Sequence, residues 1–160
     1  STPSNSSAAS DVYKRQNRMF KDAKRQGFYL EVTSSYRTNE EQKEIMAEKV
    51  QAFQDQGFSE QEAIETAESW VAVPRTSEHE VGLAVDINAQ SKRSTDEEVY
   101  AWLAKNAYKY GFILRYPSDK VEITGVSYEP WHYRYVGKKA ALEIQKASLT
   151  LEEYLAENNN

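Results

Sequence analysis

The order of helical and β-rich stretches restricts the fold of this chain more than any other feature. Short runs with alternating or β-forming residues predict strands at 28–34, 82–88, 112–116, 121–124 and 132–136. Helical patterns lie mainly before and after these runs, without the regular βαβ alternation of a parallel sheet. The sequence therefore predicts an α+β fold, with a small antiparallel sheet flanked by helices.

Two capping boxes mark where helices begin. Thr38 with Glu41, and Ser59 with Glu62, place a hydroxyl three residues before a carboxylate, so that each side chain can satisfy a backbone donor of the other. Gly57 separates the two boxes, which predicts a helical pair whose second helix extends to Trp70. Further helices are predicted at 17–26, from about 96 to 110, and at 138–155 with a break near Thr150.

The length of 160 residues favours a single domain, which we place at residues 17–156. Residues 1–16 are rich in Ser and have no apolar periodicity, and their second part, SSAASDVYKRQ, resembles a translated adaptor of the kind used in sequencing libraries. We therefore expect 1–16 to be a non-native or disordered leader and 157–160 to be a frayed tail. A native export signal, anchor or upstream domain could then have been lost from this end.

Composition excludes several classes of protein. The net charge is −5 and no block of Lys and Arg could follow a phosphate backbone, so nucleic acid is not an expected partner. No apolar run reaches the length of a membrane span. The chain has no Cys, which rules out disulfides and thiolate metal ligands.

The chain contains two histidines, His79 and His132, and both lie close to carboxylates in sequence. A structural zinc site needs four protein ligands, whereas a catalytic site needs three and leaves one position for water. His79 in a loop and Asp86 on the next predicted strand could converge across a bend at Gly82. With His132 they would complete a set of three, which fits an open, catalytic zinc site better than a closed one.

Glu129 stands three residues before His132, where a carboxylate could activate water without binding the metal. Pro130 makes a helix through this segment improbable on steric grounds, so the geometry should differ from the helical H-E-x-x-H arrangement. Each motif alone also fits a purely structural role: a histidine whose hydrogen bonds are satisfied by its neighbours, or an aspartate that forms a turn at a strand end. Together they account for every histidine in the chain and favour a metal site.

Three motifs in order resemble one enzyme family. They are SxYR ending at Arg37, SxHxxGxAxD from Ser77 to Asp86, and ExWH from Glu129 to His132. The pattern resembles the zinc D-Ala-D-Ala carboxypeptidases, in the VanY-like subgroup that also includes L,D-carboxypeptidases. The resemblance extends from about Asn17 to Ile144, and it implies the zinc fold shared by hedgehog-like and D-Ala-D-Ala-peptidase domains.

The resemblance also implies roles for individual residues. One Zn²⁺ per chain would be bound by three ligands: His79, Asp86 and His132. Glu129 would be the general base, and Arg37 would hold the substrate and stabilise the developing oxyanion. Four further positions are implied to form the substrate site: Gln42, Ser77 and Tyr116 through contacts to the peptide or its terminal carboxylate, and Trp131 by shaping the wall.

The expected activity is removal of the C-terminal D-Ala from peptidoglycan stem peptides by a monomer in the bacterial cell envelope, outside the cytoplasmic membrane. An L,D-carboxypeptidase acting on tetrapeptide stems would use the same metal centre, and so would an endopeptidase that cuts inside the stem. A non-catalytic module that binds wall peptides is an alternative of a different class.

Overall fold

The computed structural model describes residues 3–34, 37–71, 79 and 82–158, with side chains from Ser10 onward. The helices of this part of the chain are α1 (Pro3–Arg25), α2 (Asn39–Asp55), α3 (Glu60–Glu68), α4 (Asp96–Asn106), α5 (Val121–Thr124), α6 (Lys138–Ala147) and α7 (Leu151–Asn158). The strands are β1 (Leu30–Ser34), β2 (Ala84–Ala89), β3 (Phe112–Leu114) and β4 (His132–Tyr135). A 3₁₀ turn follows α4 at Ala107–Tyr110. The predicted α+β class is confirmed.

The four strands form one antiparallel sheet in the order β1-β2-β4-β3. Asp86 of β2 lies directly opposite His132 of β4, and Ser34 at the end of β1 lies opposite Asp86 on the other side. A register shift between Val32 and Ser34 brings Ser34 to this position. Three strands therefore present polar residues in one row across the sheet.

The two faces of the sheet are covered differently. Because side chains alternate along a strand, Val85 and Ile87 point into the main core while Asp86 points to the opposite face. The main core also contains Tyr133 and buried residues of α1 and α4. On the second face Ile113 of β3 packs against residues of α6 and α7 in a smaller cluster with Ala141, Ile144 and Leu151. Beside this cluster, the second face carries the polar side chains of Asp86 and His132.

The predicted helix starts are confirmed at α2 and α3. Thr38 and Glu41 form a complete capping box, as do Ser59 and Glu62. The predicted break in the C-terminal helix is also present, because Ser148 adopts a left-handed conformation with φ of 53° and Thr150 begins a new helix. Both signals depend on local hydrogen bonding, which the sequence specifies without tertiary information.

The strand predicted at 121–124 is wrong. These residues form α5, with the amides of Thr124 and Gly125 bonded to the carbonyls of Lys120 and Val121 at 3.0 and 2.8 Å. Gly125 then ends the turn at φ of 74°. The β-branched residues suggested a strand, but no strand of the described sheet pairs with this segment, so the chain satisfies its backbone locally instead.

The N-terminal segment also differs from expectation. Helix α1 includes residues 3–16, which we expected to be disordered, and Val12 within that segment is only 7% exposed. Val12, Met19 and Ala23 have a spacing of seven and four residues, which places them on one helix face against the main core. The domain boundary at residue 17 and the origin of the leader stay predictions. None of the described helices is long and apolar enough to cross a bilayer.

Substitution of Val12 tests whether the first part of α1 packs against the domain. Val12→Ala should lower the free energy of unfolding by about 1–2 kcal/mol, because it removes two buried methyl groups. Tyr13→Ala is the matched control, since Tyr13 is 63% exposed on the same turn. Urea denaturation would measure both, and equal, negligible effects of the two changes would show that this segment does not pack.

Tyr110 and Asp22 connect the 3₁₀ turn to α1. The Tyr110 hydroxyl donates to Oδ2 of Asp22 at 2.6 Å. This hydrogen bond, helped by Arg18 and Arg25, lowers the pKa of Asp22. Burial together with the bond to Asp22 raises the pKa of Tyr110 to about 12. Both shifts favour the pair of neutral phenol and charged carboxylate.

The stability contributed by this pair should depend on pH at both extremes. The raised pKa of Tyr110 means that its contribution is complete below pH 10 and is lost as the pH rises towards about 12. The lowered pKa of Asp22 means that its contribution is complete above pH 3.8 and is lost below it. Tyr110→Phe should therefore destabilise the protein most near neutral pH. An unfolding penalty that stays constant from pH 3 to 11 would contradict this account, and Tyr13→Phe serves as the exposed control.

Candidate metal centre and adjoining cavity

Three side chains from separate parts of the chain converge on the second face of the sheet. Nε2 of His79 and Nδ1 of His132 each lie 3.1 Å from Oδ1 of Asp86. The two imidazole rings are edge to face, with centroids 4.9 Å apart. All three residues are buried, and one potential ligand atom from each lies within 4.8 Å of the others. The structure thus brings together the three predicted metal ligands.

The backbone explains this convergence. Asp86 and His132 are direct partners across β2 and β4, so their side chains leave the sheet side by side. Gly82 has φ of 72°, a conformation that favours glycine, and its amide donates to the carbonyl of His79 at 3.3 Å. The amide of Arg37 donates to the same carbonyl at 2.9 Å. The predicted bend at Gly82 is confirmed, and it lies just before β2.

Asp86 is held by positive or hydrogen-bonding groups on both carboxylate oxygens. Oδ1 faces the two imidazoles, while Oδ2 accepts from Nη2 of Arg37 at 3.1 Å. Burial alone would raise the pKa of Asp86, but the interactions with His132 and His79 outweigh burial and hold the pKa well below its ordinary value. The residue therefore supplies a negative charge at the centre of the cluster.

The donor set fits a zinc ion. Two imidazole nitrogens and one carboxylate oxygen are ligands that Zn²⁺ accepts, and three protein ligands are the usual number for a catalytic site. The charge also fits, because one carboxylate leaves a net positive ion that can polarise a substrate. The second carboxylate oxygen is fixed by Arg37, an outer contact of the kind that orients metal ligands.

Glu129 lies beside this cluster. Its Oε2 is 3.8 Å from Nδ1 of His132, and the residue is 7% exposed and lines the adjoining cavity. The amide of His132 donates to the carbonyl of Glu129 at 3.2 Å, which closes a tight turn through Pro130. The expected absence of a helix here is confirmed. The turn positions a carboxylate close to the candidate metal ligands, while Asp86 occupies the position between the two imidazoles.

Arg37 and Gln42 form the support on the other side of Asp86. The Arg37 guanidinium donates to Oγ of Ser34 at 3.0 Å and to Oε1 of Gln42 at 3.2 Å, in addition to Asp86. Gln42 is fully buried at 0% exposure, so in this conformation it reaches the cavity through Arg37 and not by direct contact. Arg37 itself lines the cavity.

Two of the remaining predicted contact residues lie in the cavity wall. The Tyr116 ring packs against the His132 ring with centroids 4.9 Å apart, and Trp131 lies between Glu129 and His132 in sequence. Arg115 covers the Tyr116 ring at 4.8 Å and forms a bidentate pair with Glu152 of α7 at 2.6 and 3.0 Å. The fourth predicted contact, Ser77, lies outside the described residues.

The cavity has a volume of about 330 Å³ and extends from the cluster towards α2 and α3. Five further residues line it that the sequence did not indicate: Ile45, Lys49, Trp70, Val71 and Val126. No motif marks these positions. The spacing of Ile45 and Lys49 by one helical turn could have indicated a shared face of α2, but not that this face borders the candidate metal centre.

Comparison with known proteins assigns the family. The model of the VanY family, D-alanyl-D-alanine carboxypeptidase, matches residues 5–138. The chain belongs to the VanY family. A D-alanyl-D-alanine carboxypeptidase of Enterococcus faecalis is 58% identical over 137 residues, which are 86% of this chain and 51% of the relative. The chain thus spans about half the length of this relative.

Two solved VanY structures show the same fold. The vancomycin-resistance D,D-pentapeptidase VanY from a VanB-type cassette, a mutant in complex with Zn(II), is 55% identical, with a TM-score of 0.89 over 90% of this chain and 81% of that one. VanYB in complex with D-alanine-D-alanine is 54% identical, with a TM-score of 0.91 over 92% of this chain and 81% of that one. The predicted fold is confirmed by both.

Removal of a histidine tests the candidate centre. His132→Ala should weaken Zn²⁺ binding by at least about 100-fold, because one of three ligands is lost. Titration against a competing chelator would measure the affinity, with an expected stoichiometry near one ion in the unsubstituted protein. Glu129→Gln is the control and should bind zinc within a few-fold of that protein. Undiminished zinc affinity in His132→Ala would exclude this residue as a ligand.

Proposed function

We propose that this protein is a zinc-dependent D,D-carboxypeptidase that removes the C-terminal D-Ala from peptidoglycan stem peptides. The observation that supports this most directly is the buried His79, Asp86 and His132 cluster with Glu129 beside it, at one end of a cavity of about 330 Å³. Membership of the VanY family and the D-alanine-D-alanine complex of VanYB support the substrate class.

His79, Asp86 and His132 are the proposed ligands of a single Zn²⁺. When bound, zinc supplies Lewis acidity, which polarises a carbonyl group and lowers the pKa of water to about 7. The Arg37 contact fixes Oδ2 of Asp86 and thereby leaves Oδ1 directed at the two imidazoles. A preformed arrangement of this kind reduces the cost of organising the ligands during the reaction.

Glu129 is the proposed general base. Its carboxylate would accept a proton from the attacking water at Oε and then return that proton to the amine of the departing D-Ala. The tight turn with His132 holds it close to the ligand cluster, and its low exposure keeps competing solvent away from the carboxylate. Glu129 is therefore the residue whose loss should abolish the chemistry while leaving the metal ligands in place.

Arg37 is proposed to act on negative charge in the substrate as well as on Asp86. A guanidinium has five donors in a fixed plane, so it can keep its contacts to Ser34, Gln42 and Asp86 and still donate into the cavity that it lines. The terminal carboxylate or the developing oxyanion would be its partner. Tyr116 and Trp131 are proposed to contact the peptide, Gln42 to act through Arg37, and Ser77 remains a proposed contact.

The proposed substrate lies in the bacterial cell wall, so the proposed site of action is the cell envelope outside the cytoplasmic membrane. The monomeric state expected from the sequence stays a prediction. The L,D alternative differs in the bond that is cut, and a wall-binding module would not cut at all.

Defined stem peptides test the proposed activity. The zinc-loaded protein would be incubated with a pentapeptide ending in D-Ala-D-Ala and with the corresponding tetrapeptide, with a chelator control, and loss of D-Ala followed by mass spectrometry. Chelator-sensitive loss from the pentapeptide alone is the expected result. Loss from the tetrapeptide would assign L,D activity instead, and cleavage of neither peptide by folded, zinc-loaded protein would refute carboxypeptidase activity.

Substitution of the proposed base makes a sharper prediction. Glu129→Gln should reduce kcat by about 100- to 10,000-fold, the range that general-base catalysis contributes, while zinc content is unchanged. Glu122→Gln is the matched control because Glu122 is an exposed glutamate on α5. Near-normal kcat in Glu129→Gln would remove this residue from the mechanism.

A further inference from the structure

Lys49 lines the cavity on the side away from the sheet. Gln42, Ile45 and Lys49 follow one another at three and four residues along α2, so they share one helix face. Gln42 contacts Arg37 at the metal end of this face, and Lys49 is half-buried at the other end. The face therefore connects the proposed catalytic centre with a cationic side chain.

Aromatic rings hold the Lys49 ammonium in place. Its Nζ lies 5.3 Å from the centroid of the Phe53 ring and 5.6 Å from that of Trp70, which lies two residues beyond the end of α3 and also lines the cavity. Phe53 in turn stacks on Phe58 in the α2–α3 connection, with centroids 5.3 Å apart. Cation–π contacts of this kind restrict the side chain but do not neutralise its charge.

The two permanent cations of the described cavity wall have different partners. Arg37 is paired with Asp86 at 3.1 Å. Lys49 has no carboxylate within ion-pair distance among the residues that the structure describes. Since the two acidic residues of the described wall, Asp86 and Glu129, lie at the metal end, Lys49 forms a separate positive region at the α2–α3 end. Such a region attracts an anionic group of a bound molecule.

Helix α2 gives an approximate measure of the distance from Gln42, the residue that contacts Arg37, to Lys49. Seven residues separate Gln42 from Lys49, which corresponds to about 10 Å along the α2 axis at about 1.5 Å per residue. An extended peptide rises by about 3.3 Å per residue, so about 10 Å spans three residues. If the scissile bond of a bound peptide lies at the metal end, the side chains two or three residues before that bond would lie near Lys49.

We propose that Lys49 determines substrate specificity by binding a carboxylate located two or three residues before the scissile bond. The inference rests on the proposed function, since it assumes a peptide bound with its C-terminal end at the His79, Asp86 and His132 cluster. The preferred substrate would then be a peptide with a free carboxylate at this position, and the same peptide with that carboxylate amidated would bind more weakly. The rings of Trp70 and Phe53 would keep the Lys49 ammonium at the cavity wall.

Two pentapeptides test this inference. They end in D-Ala-D-Ala and are identical except that a γ-linked D-glutamate at the second position has a free α-carboxylate in one and a carboxamide in the other. The protein should have a KM about five- to tenfold lower for the acid, with similar kcat for both, because the ion pair contributes equally to the bound substrate and the transition state.

Substitutions of Lys49 then test whether this residue causes the preference for the free carboxylate. Lys49→Met keeps the aliphatic stem and should make the two KM values equal, whereas Lys49→Arg should retain most of the preference because the charge is kept. Lys43→Met is the matched control, since Lys43 is an exposed lysine on α2 that pairs with Glu40. Equal KM values for acid and amide in the unsubstituted protein, or a preference that persists in Lys49→Met, would overturn the inference.

A binding measurement separates this inference from the proposed activity. In the Glu129→Gln background, the dissociation constants of the two pentapeptides should differ by a similar factor, and the further change Lys49→Met should abolish the difference. If the unsubstituted protein cleaves neither peptide but this difference is found, the proposed catalysis fails while the role of Lys49 stands. Absence of any binding difference refutes the role of Lys49 even if both peptides are cleaved.

Discussion

The buried carboxylate of Asp86 is the group on which the rest of the site depends. A charge removed from water is stable only when close partners replace its hydration, and here both oxygens have such partners. Two imidazoles lie 3.1 Å from Oδ1, and the Arg37 guanidinium lies 3.1 Å from Oδ2. These contacts link β2 and β4 with His79 and with Arg37, which lies just before α2. The same partners that stabilise the charge also form a ligand set that fits zinc.

The sheet register turns this local requirement into a defined geometry. Asp86 opposite His132, and Ser34 opposite Asp86, place two candidate metal ligands and the Ser34 partner of Arg37 in one row across the sheet. A shift by one residue would turn Asp86 towards the main core and Val85 towards the site. The apolar side chains of Val85, Ile87 and Tyr133 oppose that shift, since all three are buried in the main core. Packing of the core therefore fixes the position of the polar cluster on the opposite face.

Much of the arrangement could be predicted from the sequence because its signals are local. Hydroxyl and carboxylate residues three apart identified the starts of α2 and α3, and Gly82 marked the bend before β2. The scarcity of histidine and the three ordered motifs indicated which residues would converge. Other features depend on distant contacts. The segment 121–124 has β-branched residues yet forms α5, because no described strand is available to pair with it.

The cavity wall away from the sheet was the least predictable part of the site. Lys49 belongs to α2 and Trp70 follows the end of α3, so their proximity depends on how α2 and α3 pack against each other. Only such tertiary contacts show that a lysine on a largely polar helix lines the same cavity as the candidate metal ligands. The burial of Val12 against the main core is a similar case, because a Ser-rich stretch gives no sign of the surface it will cover.

Anomalous X-ray diffraction at the zinc edge, from crystals of the zinc-loaded protein, tests the central claim most directly. We expect one zinc peak within about 2.0–2.2 Å of a nitrogen of His79, a nitrogen of His132 and an oxygen of Asp86. Arg37 should remain on the other oxygen of Asp86. A zinc ion bound elsewhere, or one held without Asp86, would contradict the account.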